Sequence, residues 1–360
     1  MSLPLYKGHH PIPASAEKNM GLWYDKFCDE WSLSWQELDK GKWINRAATI
    51  DEGKNSDIEV GNSDLIEDYF IRQRDLAMAL GGQIFVFKTQ DRFITGLGNP
   101  HPIENGFSWH FTLGTPYIPA SSVKGVLRSW AETLGGIDST KINLLFDSES
   151  DREHSAGAVI FFDAIPLSPV KLNEDIMTPH YNDYYRKKDN SPPADWYSPI
   201  PIPFLTVAEG QRFAFVIAPR KKIEVDIHDL GDWLICALED FGLGAKTSSG
   251  YGRFEYDELA TMKILEDLEK QRQEILNKQM SPIRREMEDD DYTDENKFME
   301  AMTKKWLPKL KDPDMSLEDK YEIAMYLKEW YQIFRKEAWQ QPKGKNVEKV
   351  KLIKSYFHNE

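Results

Sequence analysis

Apolar positions along this 360-residue chain follow three regimes: scattered rings at the beginning, strand-like runs alternating with helical stripes in the middle, and helical spacing after Asp257. In the first region Trp23, Phe27 and Trp31 share the i, i+4, i+8 face of one predicted helix. A polar stretch, Asp51 to Asp64, reads as a loop. From Leu65 to Leu80 a helical pattern returns, and Gly81-Gly82 ends it.

The middle region opens with Gln83-Ile-Phe-Val-Phe-Lys88, a continuous apolar run expected of a buried strand, extended by Arg92, Phe93 and Ile94. A turn-rich segment, Thr95 to Gly106, follows, and Phe107 to Leu113 alternates as a further strand would. Pro116-Tyr-Ile-Pro-Ala-Ser-Ser122 leads into a helix that Ser121 or Ser122 is placed to cap; Val123, Leu127, Trp130, Ala131 and Leu134 form its apolar stripe. Ala158–Phe162, Pro203–Val207 and Arg212–Ala218 read as strands, Asp226–Phe241 as a helix, and Arg253–Tyr256 as a closing strand. The order strand, helix, strand, strand, helix, strand predicts an α+β, ferredoxin-like (RRM-like) domain over residues 82–257. It follows a helical and irregular region, 1–81, and precedes a helical appendage, 258–360. In the appendage, Leu259–Met280, Asn296–Leu310, Ser316–Trp339 and Val347–Phe357 are predicted helices punctuated by prolines, with the acidic run Glu286–Asp291 as a solvated linker.

Composition narrows the function classes. A net charge of −14 disfavours a freestanding nucleic-acid binder, so any RNA contact must be local. No apolar run reaches the eighteen or so residues a membrane span needs. The first ten residues lack a signal peptide's apolar core, and Cys28 and Cys236 stand far apart without metal-ligand spacing, so reduced thiols in a cytoplasm are expected. Asp147, Glu149, Asp151 and Glu153 alternate but lack the glycine and terminal glutamate of a calcium loop. No metal or cofactor is expected.

The most distinctive chemistry lies in Gly242-Leu-Gly-Ala-Lys-Thr-Ser-Ser-Gly-Tyr-Gly-Arg253. Gly242, Gly244, Gly250 and Gly252 allow torsions that bring backbone N–H groups within reach of a phosphate; Lys246, Ser248, Ser249, Tyr251 and Arg253 add charge, hydroxyls and a stacking ring. P-loops and dinucleotide fingerprints run from strand to loop to helix N-terminus. Here the loop follows a helix, whose C-terminal dipole repels anions, and Ala245 precedes Lys246, which disfavours ATPase and dehydrogenase readings. The competing reading is a connection that binds nothing. Lys124 and Arg128, early on the 120s helix, oppose its dipole and suggest an anionic neighbour, or else form a solvated face. His180, Tyr181, Tyr184, Tyr185, Arg186, Lys187 and Lys188 interleave rings and cations, as base stacking requires and as a protein-docking loop equally would.

Pro116-Tyr-Ile-Pro-Ala-Ser-Ser-Val-Lys-Gly-Val-Leu-Arg128 together with the 242–254 loop resembles the RAMP superfamily of CRISPR effector proteins. With Thr95-Gly-Leu-Gly-Asn-Pro-His-Pro102, the combination looks like the sixth-subunit family of the type III-B, or Cmr, complex. The resemblance covers about Gly82 to Tyr256. It implies a non-catalytic subunit that binds CRISPR RNA near its 3′ end, in antiviral defence against foreign RNA. The implied partners are CRISPR RNA, target RNA, the repeated backbone RAMP subunit, the small helical subunit and a neighbouring capping RAMP subunit. By position, Lys246, Ser248, Ser249, Tyr251 and Arg253 fall in the family's glycine loop and Lys124 and Arg128 on its first helix; with the loop glycines, and with His101, His180 and Tyr181, they are the candidate RNA contacts.

Two other readings compete. A metal-independent CRISPR endoribonuclease needs a general base near a 2′-hydroxyl; His101 and His180 are the candidates, with Tyr181 or Lys124 assisting. His9, His10, His110, His154, His228 and His358 show no pairing pattern. A pure scaffold, with the loop touching only protein, would suit the acidic charge and the N-terminal rings.

Overall fold

The structure, a computed structural model, describes residues 19–32, 37–49, 59–146, 156–181, 184, 192–193, 196, 198–220 and 227–357. Two compact units divide the chain, Met1–Met262 and Lys263–Glu360.

The first unit contains helices α1 (Met20–Lys26) and α2 (Lys40–Thr49), strand β1 (Glu59–Val60), helix α3 (Ser63–Ala79) and strand β2 (Gln83–Thr89). After these come α4 (Ala120–Thr133), α5 (Ser139–Phe146), and strands β3 (Val159–Phe161), β4 (Ile165–Pro166), β5 (Val170–Met177), β6 (Ile202–Val207) and β7 (Arg212–Pro219). Helix α6 (Ile227–Asp240) and strand β8 (Phe254–Tyr256) complete the set. The main sheet is antiparallel with order β3-β7-β2-β8, and β4 also pairs with β7. The β2–β7 register runs from Gln83 opposite Ile217 to Lys88 opposite Arg212. Phe213 to Ala218 are buried without interruption, because both faces of this strand are covered.

Helices α4 and α6 pack on each other and on this sheet. Val123, Leu127 and Ala131 form the buried face of α4, and Leu230, Leu234, Ala237 and Leu238 that of α6. A fully buried leucine or valine of this kind contributes about 1.5–3 kcal/mol. Trp130 is half-buried and Leu134 is 60% exposed, so the predicted stripe on α4 is narrower than its spacing suggests. Its start is also capped differently. Ser121 and Ser122 are exposed, while the Asp163 Oδ1 accepts from the Ala120 N–H at 2.6 Å. A carboxylate beyond β3 thus does what a local serine was expected to do, and lies where the helix dipole favours an anion.

Of a second sheet, order β1-β5-β6, only β6 was legible, as the expected Pro203–Val207 strand. Val170-Lys-Leu-Asn-Glu-Asp-Ile-Met177 is polar enough to read as loop, yet it pairs with β6 from Leu172 opposite Val207 to Met177 opposite Ile202. Helix α2 covers this sheet. Phe93 and Val207 bridge the two sheets with reciprocal bonds of 3.0 and 2.8 Å.

The N-terminal rings join the same core. Trp23 stacks on Trp43 at 4.0 Å, and both are buried with Phe87, Phe213 and Phe215 in one cluster. The expected Trp23–Phe27–Trp31 helix face is cut short: α1 ends at Lys26, and Trp31 forms a bridge with Leu38. Just beyond the end of α1, Arg46 of α2 pairs with Asp29 and Glu30 at 2.6 Å each. Phe107–Leu113 forms no extended strand; it contributes an isolated Trp109–Pro116 bridge and a turn.

The second unit is helical: α7 (Glu258–Gln279, which begins in the first unit), α8 (Pro282–Asp289), α9 (Glu295–Ala301), α10 (Leu307–Lys311), α11 (Leu317–Phe334), α12 (Lys336–Gln340) and α13 (Asn346–Lys354). Ser316 caps α11 by accepting from the Asp319 N–H, as its position predicts. The acidic run 286–291 is not a solvated linker. It lies mostly in α8, with Met287 fully buried, Glu286 paired to Lys305 and Lys309, and Asp290 accepting from the Trp306 indole at 2.9 Å. The expected 316–339 helix breaks at Arg335, whose φ of −141° leaves the helical region. No helix among the described residues is long and apolar enough to cross a membrane.

Candidate functional site

Helix α6 ends at Asp240, and the chain then crosses its own path. The Leu243 N–H donates to the Gly252 carbonyl at 2.8 Å, the Ala245 N–H to Ile94 at 2.9 Å, and the Gly252 N–H to Arg92 at 2.9 Å. The segment leaving β2 therefore threads beside the glycine loop and holds it. Gly242, Gly244, Gly250 and Gly252 all have positive φ. At Gly252 a Cβ would lie 2.0 Å from the Leu243 carbonyl oxygen, and at Gly244 2.3 Å from that of Ile94. Those two glycines serve close backbone crossing within the protein itself.

What remains outward is the tip. A 3₁₀ turn spans Thr247–Ser249, with Lys246 before it at φ 60° and Gly250 after it. A lysine in the left-handed region is strained by on the order of 1–3 kcal/mol, a feature that clusters at functional segments. The N–H groups of Ser249, Gly250 and Tyr251 bond back within the tip. Those of Lys246, Thr247 and Ser248 donate to no described residue. Ser248 and Ser249 are exposed and Lys246 is half-buried. The tip thus presents three adjacent N–H donors, two hydroxyls and an ammonium, a set suited to a phosphate.

The remaining loop candidates do structural work. Arg253 Nη1 donates to the carbonyls of Glu239 and Asp240 at 3.1 and 2.9 Å, satisfying orphan acceptors at the end of α6. The Tyr251 hydroxyl donates to Asp175 Oδ2 at 2.6 Å, and Arg92 pairs with the same oxygen. Burial first, then the Asp175 bond, pushes the Tyr251 hydroxyl up to about 12. Its ring meets Phe204 edge-on at 5.9 Å. Arg92 and Asp175, neither singled out in the sequence, thereby pin the loop to the second sheet. Their only signal in the sequence was opposite charge: Arg92 lies beyond β2, and Asp175 within β5.

Lys124 and Arg128 lie on α4. Lys124 is half-buried and pairs with no described residue, whereas Arg128 pairs with Glu132 at 2.7 Å. The Trp130 indole donates to Asp240 Oδ2 at 2.7 Å, which ties α4 to the end of α6 where the glycine loop begins. His180 is exposed and Tyr181 half-buried, just beyond β5, with ring centroids 6.3 Å apart. Residues 185–188, 147–155, His9, His10 and His358 lie outside the described residues.

His101 sits apart from the loop tip. It stacks on Tyr24 at 4.9 Å, accepts from the Ile103 N–H, and has its Nε2 3.4 Å from Asp25 Oδ1, with only 7% of its side chain exposed. His110 is also packed, edge-on to Tyr69 and Tyr117. Burial holds the His110 imidazole below its ordinary range, with Asp163 opposing that shift. Among the described residues no group of three His, Cys, Asp or Glu is arranged to hold a metal.

The RAMP superfamily model matches residues 86–255, which include both α4 and the glycine loop. The CRISPR system Cmr subunit Cmr6 of Pyrococcus furiosus is 30% identical, over 53% of this chain and 72% of that protein. The chain belongs to the Cmr6 family of RAMP proteins. A second Cmr6, from Saccharolobus solfataricus, is 30% identical over 55% of this chain and 66% of its own length. Among solved structures, a chain of the Type III-B Cmr-beta assembly bound to cognate target RNA is 25% identical with a TM-score of 0.46, covering 61% of this chain and 72% of that one. In this Cmr6-family chain, helices α1–α3 and the whole second unit lie outside the RAMP match.

Proposed function

We propose that this protein is a non-catalytic RNA-binding subunit of a type III-B CRISPR effector, with the glycine-loop tip as its principal contact to the CRISPR RNA backbone. The single observation that carries the reading is Lys246, held at φ 60° beside three N–H groups that no described residue accepts. Such a tip contacts phosphate without reading bases, which suits a complex in which guide pairing supplies sequence specificity. Lys124 on α4, and His180 and Tyr181 beyond β5, are the further RNA contacts. Binding falls near the guide's 3′ end, beside the repeated backbone subunit, the small helical subunit and a capping RAMP subunit, with target RNA paired to the guide.

The strand order β3-β7-β2-β8, with α4 after β2 and α6 after β7, supports a ferredoxin-like RAMP body over 82–257, flanked by 1–81 and 258–360. Burial of His101 against Tyr24 supports the non-catalytic assignment, since a general base must reach a substrate hydroxyl.

The test is purification of the tagged full chain from its host, with sequencing of co-purified RNA and identification of co-purified proteins. Repeat-plus-spacer RNAs together with RAMP subunits are expected. Recovery of the chain alone, or with unrelated RNA, would overturn the assignment. Incubation with repeat RNA in chelator should leave the RNA intact.

A further inference from the structure

The segment that threads past the glycine loop goes on to build a second feature. Ile94 accepts from Ala245 in the loop, and one residue later Thr95 accepts from the Ser108 N–H at 3.1 Å. Ser108 lines a cleft of about 290 Å³ formed by the 99–109 turn, the end of α1, and Phe111 and Tyr117. This volume is at the small end of ligand pockets, which run roughly 300–1,000 Å³, and suits one flat heterocycle rather than a length of chain.

Its walls are largely aromatic, with polar side chains among them. Phe111 stands at the rim 88% exposed, an unusual position for a phenylalanine, while Trp109 is 4% exposed below it. His101 Nε2 and Trp109 Nε1 are both buried without a hydrogen-bond partner among the described residues. Asp25 and Lys26 add an acceptor and a cation from the end of α1, and Asn99 an amide from the turn. Planar rings beside buried donors, a carboxylate and an amide are what an unstacked base meets in a protein that recognises single-stranded RNA.

We propose that this cleft holds one unpaired nucleobase of the RNA whose phosphates lie on the glycine-loop tip. The base stacks on Phe111 and presents its hydrogen-bonding edge to Asp25 and Asn99. This inference rests on the RNA-binding reading above, and it adds a base-holding site to a backbone-holding one.

Saturation-transfer NMR of the full chain with AMP, GMP, CMP and UMP tests the cleft directly. Base protons should be saturated in the wild type and in Lys246→Ala, and lose saturation in Phe111→Ala; Phe111 is exposed, so its removal leaves the fold intact. Separately, Phe111→Ala should weaken binding of a single-stranded RNA by about 5- to 100-fold, as loss of one stacked base does. Equal base saturation in wild type and Phe111→Ala, or none in either, would overturn the cleft assignment. RNA affinity lost in Lys246→Ala but unchanged in Phe111→Ala would also reject the cleft, while leaving the glycine-loop reading in place. Conversely, Phe111-dependent base saturation in a chain that binds no RNA would keep the nucleobase site and reject the RNA reading.

Discussion

The guanidinium of Arg253 reaches back to the carbonyl of Asp240, 2.9 Å away, and closes the end of α6 at the base of the glycine loop. Arg253 therefore differs in kind from Lys246, although both are cations in one motif. Arg253→Ala should destabilise the first unit by about 1–2 kcal/mol, through lost charge-assisted bonds and a less favourable helix terminus. Lys246→Gly should leave stability unchanged or raise it by up to about 1 kcal/mol, because glycine tolerates φ 60°. RNA binding should fall with Lys246→Gly. Urea unfolding and filter binding on the two variants separate the roles; a stabilising Arg253→Ala would be inconsistent with capping.

Asp163 caps α4 from across the chain, so Asp163→Ala should cost about 1–2 kcal/mol, as N-cap removal does. Ser122→Ala, at the position the local sequence favours, should stay within about 0.5 kcal/mol of wild type, as exposed surface changes do. Thermal unfolding compares them directly.

Alkaline pH should release the glycine loop from the second sheet. The Tyr251 hydroxyl is raised to about 12 when folded, against an ordinary value near 10, so folding favours its neutral form. The resulting stability is fully present below pH 10 and disappears as pH rises through about 12. Tyr251→Phe lacks this component. The stability difference between wild type and Tyr251→Phe should shrink across that window, and a constant difference would reject the linkage.

Within the second unit, the two acidic residues Asp290 and Glu300 make opposite predictions. Asp290→Ala strands the Trp306 indole N–H and should cost about 1–3 kcal/mol. Glu300→Ala breaks only an exposed pair with Lys304 and should cost less than about 0.5 kcal/mol. Denaturant titrations of the full chain check both.

Much of the main sheet was legible because its strands are continuous apolar runs between glycine stops, and α4 and α6 carry strong helical spacing. β5 was not, since Val170–Met177 draws its extended conformation from pairing with β6 rather than from its own alternation. The 286–291 run misled for a related reason: five acidic residues around Met287 look solvated until Lys305, Lys309 and the Trp306 indole are brought against them. At the candidate site, the glycines and Lys246 could be picked out by composition. The division of labour between Lys246 and Arg253 could not, because it depends on where α6 stops and which carbonyls it leaves open.

The backbone crossing at Gly244 and Gly252 bears on how tightly such a loop binds. Its conformation is locked to Ile94, Arg92 and the strand leaving β2 before any ligand arrives. Under the proposed RNA contact, binding has little chain to immobilise beyond the tip at 246–250, so association would forfeit less conformational freedom than with a pliant glycine loop, and more of each phosphate contact would survive as affinity.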